Sequence, residues 1–339
     1  MVFLVPAKIS PFITKEPLKN LKRICDKDLN SVNKVLLEQV YGTLPFITQV
    51  ANHLIASGGK RLRPLLTLAT ATLCGYKGQN HIPLAACVEM IHTATLLHDD
   101  VVDSSDKRRN QPSANLLWGN SAPVLVGDFL FSKAFVLMVE YGSKEVLRTL
   151  SIASSTIVEG EVFQLCQLTE PTSSIKTYLK IIKSKTACLF AAACKVGSLV
   201  ANASEKTIKG LEDYGYNLGL AFQITDDLLD YIACEKTLGK TLGDDFRQGK
   251  VTLPSIIAFE NASLEEKKFW DRTLMKRSQL PGDFEKAILI IKRHGAERKT
   301  LDLAQYYVNN AKKSLDIIPP SKFKDCLNNI ASYCINRSF

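Results

Sequence analysis

Ile91–Asn115 reads IHTATLLHDDVVDSSDKRRNQPSAN and holds three aspartates, Asp99, Asp100 and Asp103, in the pattern D-D-x-x-D at the end of an apolar run. Ile91, Ala94, Thr95, Leu97, Val101 and Val102 recur with helical periodicity, so the stretch reads as the last turns of a helix. Asp99 and Asp103 then share one face, about 5–6 Å apart at Cβ, with Asp100 offset by about 100°. Like charges at this spacing weaken a helix by about 0.2–0.5 kcal/mol. The pattern returns far downstream in FQITDDLLD, as Asp226, Asp227 and Asp230. One such motif reads equally well as a solvated acidic face. Two, each set among apolar residues, point to a shared cation. Clustered carboxylates suit a hard ion, and Mg²⁺ typically takes one or two of them while keeping waters and binding substrate phosphates. The fold is expected to bring the two acidic faces together across a cavity.

The rest of the chain narrows the setting. With 339 residues, 46% hydrophobic, and a mean hydropathy of +0.01, it reads as a globular protein with a large core. The net charge of +9 fits nucleic acid, an anionic membrane or an anionic small substrate. Lys and Arg are dispersed, and no RNA-recognition signature or zinc spacing appears, which leaves phosphate ligands as the better fit. Nine scattered cysteines without a C-x-x-C read as small core residues in a reducing compartment, and a cytoplasmic location is expected. No run of 18 apolar residues is seen, so no transmembrane helix is expected. Helical periods follow one another, among them Leu29–Val40, Ile82–Val102, Ser121–Tyr141, Val146–Leu168 and Tyr178–Val200, and no segment alternates convincingly with period two. The expectation is an all-α antiparallel helical bundle around a central cavity, a single domain over residues 1–339, with residues 1–20 as an irregular arm.

Further residues carry chemistry. Lys60-Arg61-Leu62-Arg63-Pro64 follows a Gly-Gly turn at a helix start, where basic side chains can bind phosphate; alone it is an ordinary basic turn. Arg108 and Arg109 lie just past the first motif and can fork onto phosphate oxygens. Lys185 is costly in an apolar helix unless it snorkels or meets an anion. Lys236, Lys240 and Lys250 follow the second motif. The Gly239-Lys240-Thr241 there lacks the earlier glycine of a phosphate-binding loop and follows a helix, which excludes that nucleotide fold. A di-iron bundle wants Glu-x-x-His pairs, and neither Glu159 nor Glu161 has a His three residues on.

Taken in order, GGKRLRP, LLHDDVVD, the Arg-Arg turn, LVGDFLFSKAF, EGE, KTA, FQITDDLLD and GKTLGDD resemble the trans-isoprenyl diphosphate synthases, over nearly the whole chain from about Asp28. The resemblance is strongest to the long-chain octaprenyl and decaprenyl type of bacteria, which make the side chain of ubiquinone. It implies a homodimeric helical bundle that joins isopentenyl diphosphate to an allylic diphosphate. It also implies several Mg²⁺ ions on Asp99, Asp103 and Asp226, with Asp100, Asp227 and Asp230 as further candidates. By motif, Lys60, Arg63, His92 and Arg109 would hold isopentenyl diphosphate, and Arg108, Lys185, Thr186, Gln223 and Lys240 would serve the allylic side. Two departures are visible: Asn110 stands where Gly is frequent after the arginine pair, and Ser113 replaces a frequent Thr. Asn tolerates the left-handed conformation, so the turn is expected to survive.

Product length follows from space beside the first motif. The tail is expected to run toward the start of the helix, at about 5.4 Å per turn. Ala94 and Thr95, one turn up, are small where short-chain enzymes often carry an aromatic floor. A long product is therefore expected, with Phe131 or Phe135 as a deeper floor. A long product must pass to lipid, so transient contact with a membrane surface is also expected. Two alternatives stay open: a short-chain synthase making farnesyl or geranylgeranyl diphosphate, or a non-catalytic subunit of a heteromeric synthase, although such subunits usually lose aspartates.

Overall fold

The computed structural model describes residues 16–41, 44–56, 59–108, 111–167, 174–232 and 242–336. The chain begins with α1 (Glu16–Ile24), α2 (Asp26–Val40) and α3 (Pro45–Ala56). There follow α4 (Leu62–Leu73), α5 (His81–Val102), the short α6 (Ala114–Trp118), α7 (Ser121–Tyr141) and α8 (Lys144–Gln167). Next come α9 (Ile175–Ile182), α10 (Cys188–Val200), the long α11 (Glu205–Ile232) and the one-turn α12 (Asp244–Arg247). The chain closes with α13 (Leu253–Glu260), α14 (Leu264–Trp270), α15 (Asp283–Arg293), α16 (Ala296–Ser314) and α17 (Lys322–Asn336). The all-α expectation holds. Among the described residues the only strands are β1 (Lys107–Arg108) and β2 (Gln111–Pro112), a two-residue antiparallel ribbon in the turn after the first motif.

The expected arm is shorter than the sequence suggested. Residues 16–20 open α1, because Leu21 is buried against the bundle and Leu18 packs beside it. Residues 1–15 lie outside the described residues. Elsewhere the local signals hold: Leu29, Val32, Leu36 and Val40 form the buried face of α2, and Ser263 with Glu266 makes the capping box of α14.

Two apolar clusters build the core. One gathers α2, α4, α5, α7, α8 and α10; the other gathers α9, α13, α15 and parts of α16. Helix α11 belongs to both, giving Leu211, Tyr214 and Leu218 to the first and Leu220, Ile224 and Tyr231 to the second. Each such fully buried large side chain contributes about 1.5–3 kcal/mol. The second acidic motif thus sits on the wall that the two clusters share.

Helix α5 shows where the bundle opens. From His81 to Ile91 it is buried all round, as a central helix should be. Beyond that, His92, Thr95, Leu96, Asp99 and Asp103 are only half-buried, at spacings that form one stripe along the helix. A cleft therefore runs along this face of α5 and reaches the first motif.

Helix α7 departs from the expectation that nothing resembles a membrane span. Its 21 residues, with mean hydropathy 1.8 in the best window, are long and apolar enough by length and composition. Asp128, Lys133 and Glu140 interrupt the apolar run, which is why the sequence did not read as one. In the fold, Leu130, Ala134, Leu137 and Met138 join the first core cluster, and the thiol of Cys87 on α5 donates to the Ala134 carbonyl.

Candidate active site

The first motif ends α5, with Asp103 as its C-cap residue, and the second ends α11. Their six aspartates are not equivalent. Asp100 is fully buried; Nε of Arg108 donates to its Oδ1 at 2.8 Å, and Nη2 of the same guanidinium lies 2.6 Å from that oxygen. Asp227 is buried, receiving the Tyr178 hydroxyl at 2.6 Å and the Gln223 amide at 2.7 Å. Asp230 is fully buried and accepts the backbone N–H of Asp245 at 3.0 Å, while its own carbonyl accepts that of Gly243. Asp100 and Asp230 tie the ends of their helices to the segments that follow, and Asp227 ties α11 to α9. Asp99, Asp103 and Asp226 are the half-buried members, and they are the ones turned toward the cleft.

Two bridges join the motifs. Lys250, in the segment after α12, donates to Asp103 at 2.7 Å, and the negative charges of Asp103, Asp245 and Asp99 hold its pKa up against the opposing effect of its burial. The second bridge starts at Lys185, whose charge acts on Asp99; the adjacent Thr186 donates to Gln223 at 2.9 Å, and Gln223 holds Asp227. Lys250 thus feels the charges of Asp99 and Asp103 from the first motif and of Asp245, which is bonded to Asp230 of the second.

Lys185 and Thr186 stand on a π turn, Lys183–Ala187, between α9 and α10. The sequence reads as one helix from Tyr178 to Val200; the extra residue in this turn is what the periodicity does not reveal. Such turns recur at functional sites. Gly160 of the EGE motif explains its closeness to α8, because a Cβ there would stand 2.6 Å from the Ser184 Cβ and 3.3 Å from the Lys185 Cγ. Lys185 in turn reaches across to α8, with Glu161 at 2.7 Å and the Gln164 carbonyl oxygen at 2.8 Å.

At the other side of the cleft lies the basic turn. Arg61 caps α4 in the left-handed conformation, so Pro64 takes the third helical position. The Arg63 guanidinium lies 4.4 Å from the centre of the Phe190 ring and 3.2 Å from His92 Nε2. Burial lowers its pKa to about 10, and its Nε has no hydrogen-bond partner. A desolvated guanidinium with a donor to spare suits an anion. Lys60 stands 5.7 Å from the centre of the Phe222 ring, one residue before Gln223.

The remaining expected residues fall as follows. Thr95 lies on the open stripe of α5, its hydroxyl donating to the His92 carbonyl. Ala94 is fully buried, about 140° away from Asp99 on the helical wheel, on the side where Cys87 and His98 meet α7. Phe131 is half-buried beside His98, whereas Phe135 is exposed and does not close a cavity within one protomer. Arg109, Asn110, Lys236 and Lys240 lie outside the described residues. Ser113 is buried and donates to the Ser105 carbonyl, closing the turn after the first motif. Sequence reading missed Tyr178, Glu89, Asp245 and the role of Glu161. Glu161 and Asp245 had a signal, the EGE and GKTLGDD motifs; Tyr178 and Glu89 had none.

The donor set suits a divalent cation. Among the described residues, the carboxylates of Asp99, Asp100, Asp103, Glu161, Asp226, Asp227, Asp230 and Asp245 gather here with the cations Arg108, Lys185 and Lys250. Among the described residues no three His, Cys, Asp or Glu side chains converge as a preformed metal cage. Burial, with neighbouring carboxylates adding to it, raises the pKa of two of these groups. Burial and Asp99 push Glu161 up to about 7, and burial and Asp245 push Asp227 up to about 8, against the hydrogen bonds from Tyr178 and Gln223. A pKa raised on folding means extra protons bound in the folded state, so this stabilisation is present at low pH and lost as pH rises through these values. Metal-free protein should therefore lose Tm as pH rises from about 4 to about 8, and added divalent cation should remove most of that slope. A flat or rising metal-free profile would contradict these shifts.

Comparison with known proteins agrees with this geometry. A family model described as polyprenyl synthetase matches residues 44–291. The octaprenyl diphosphate synthase of Escherichia coli is 38% identical over 320 residues, covering 94% of this chain and 99% of its own. The crystal structure of a polyprenyl synthase from Caulobacter crescentus, complexed with calcium and isoprenyl diphosphate, superposes with a TM-score of 0.92 at 45% identity, over 95% of this chain and 98% of that one. A decaprenyl diphosphate synthase from Rhodobacter capsulatus gives 0.90 at 44% identity, over 95% of this chain and all of that one. With two acidic motifs facing one cleft and similarity along nearly its full length, this chain belongs to the polyprenyl synthetase family and is a prenyltransferase.

Proposed function

We propose that the chain is a long-chain all-trans-polyprenyl diphosphate synthase, adding isopentenyl diphosphate units to an allylic diphosphate to give an octaprenyl to decaprenyl product for the ubiquinone side chain. The observation that carries this reading is the pair of bridges, Lys250 to Asp103 and Lys185–Thr186–Gln223 to Asp227, which hold both acidic motifs at one cleft.

In this reading Arg63, with Lys60, His92 and Arg109, holds the diphosphate of isopentenyl diphosphate. Lys185, Thr186 and Gln223, with Arg108 and Lys240, serve the allylic diphosphate. Mg²⁺, when bound by Asp99, Asp103 and Asp226, supplies the positive charge that neutralises the departing diphosphate. Lys185 and Lys250 add fixed positive charge where the C–O bond of the allylic substrate breaks, stabilising negative charge as it develops. The allylic carbocation is attacked by the double bond of isopentenyl diphosphate, and a proton then leaves to the released diphosphate. Asp100, Asp227 and Asp230 act by positioning. The apolar walls exclude water, which would otherwise quench the cation.

The same proposal takes the chain as one domain, cytoplasmic and homodimeric, in contact with a membrane surface when product leaves. The exposed apolar residues of α7 and α8, among them Leu125, Val136, Val139, Val158 and Val162, support a second copy as their cover.

Purified protein incubated with Mg²⁺, farnesyl diphosphate and labelled isopentenyl diphosphate is expected to yield octaprenyl to decaprenyl diphosphate by chromatography. Arrest at geranylgeranyl would favour the short-chain reading. No product from folded protein would favour a non-catalytic subunit.

A further inference from the structure

Arg61 belongs to the same basic turn as Lys60 and Arg63, yet its side chain points elsewhere. Its backbone sits at φ 50°, ψ 34°, a left-handed conformation that residues other than glycine seldom adopt. Nη1 donates to Glu89 Oε1 at 2.5 Å and Nη2 to the Ile55 carbonyl at 2.6 Å. The pair is shut off from solvent, with side-chain exposures of 9% and 3%. Glu89 and His92 are three residues apart on α5, so one face of that helix receives both arginines of the turn: Glu89 takes Arg61, and His92 meets Arg63. Glu89's own backbone carbonyl accepts the Thr93 hydroxyl.

This arrangement divides labour within the turn. The only carboxylate hydrogen-bonded to the turn's described arginines is used on Arg61, which leaves the Arg63 guanidinium facing an imidazole and an aromatic ring. A buried ion pair is weak support for stability, because apolar residues of similar volume often serve as well. Its position suits a geometric role.

We infer that Arg61 and Glu89 are positioning residues for the isopentenyl diphosphate site: their buried ion pair locks the turn in its left-handed form and so presents Arg63, with Lys60 before it, to the diphosphate. The inference rests on the reading that Arg63 and Lys60 hold that diphosphate. Without the pair, the turn relaxes toward ordinary backbone angles and the seat for the diphosphate is misplaced, while the allylic side, built on α8, the π turn and α11, keeps its geometry.

The test is steady-state kinetics of the full chain with Mg²⁺, varying isopentenyl and farnesyl diphosphate separately. Glu89→Gln should raise KM for isopentenyl diphosphate by about tenfold or more, the scale on which small misplacements act, with KM for farnesyl diphosphate and kcat changed less than about threefold. The double variant Arg61→Met with Glu89→Met removes both charges at similar volume and should show the same split if the single variant folds poorly. Arg63→Lys is the control for the underlying reading. If it leaves KM for isopentenyl diphosphate unchanged, the site assignment itself fails. If it raises that KM while Glu89→Gln and the double variant do not, only the positioning role is overturned. An equal loss for both substrates would also overturn it, marking the pair as merely structural.

Discussion

Asp99→Asn is expected to lower kcat by about three orders of magnitude or more while leaving Tm unchanged or higher. Asp99 is on the open stripe of α5, and burial raises its pKa, with Asp103 adding to the effect against the opposing charge of Lys185. Folding therefore disfavours the ionised form that the chemistry needs. An asparagine of nearly the same shape removes the misfit along with the charge that would bind cation. Asp100→Asn should behave in the opposite way. Asp100 is fully buried, pairs with the guanidinium of Arg108, and holds the turn after the first motif. Breaking that pair should cost Tm, since truncating one partner of a buried pair is strongly destabilising. Parallel kcat and thermal-melt measurements on the two variants separate the roles. Equal loss of Tm in both, or near-normal turnover in Asp99→Asn, would remove the distinction drawn between cleft-facing and buried aspartates.

Phenylalanine at position 95 or 94 is expected to shorten the product by several isoprene units, toward geranylgeranyl length. Thr95 lies on the same open stripe as Asp99 and Asp103, so a ring there projects into the path of the growing tail about one helical turn, 5.4 Å, from the first motif. Ala94 is fully buried on the side that meets α7, so its replacement must first push α5 and α7 apart, an overpacking that typically costs about 1–3 kcal/mol. Thr95→Phe should thus shorten the product at least as much as Ala94→Phe, and with a smaller drop in Tm. Product chromatography decides: an unchanged distribution in both variants would show that the tail does not run along α5.

Much of this was legible before any coordinates, for a physical reason. Helix periodicity and caps are local, so the limits of α7 and the capping box of α14 follow directly from the residues. The acidic motifs are local too, and their duplication is a strong signal. What escaped was set by tertiary contact. The π turn breaks a period that sequence shows as continuous, and only the approach of Gly160 to Ser184 reveals why. Tyr178 and Glu89 look like ordinary helix residues until Asp227 and Arg61 are placed opposite them. The unequal burial of six similar aspartates is invisible in a repeated D-D-x-x-D.

The π turn at Lys183–Ala187 also sets this segment against its own regularity. Deleting one residue there, Ser184 for example, would let α9 run into α10 as an unbroken α-helix, with the i→i+4 bonding that helices prefer. The flanking helices would keep their register, because the turn already absorbs the extra residue, but Lys185 and Thr186 stand inside it and would be carried off the positions from which they meet Asp99 and Gln223. Selection for a more orderly helix and selection for turnover pull in opposite directions at this point. Laboratory evolution for heat resistance alone would be expected to erase the irregularity first.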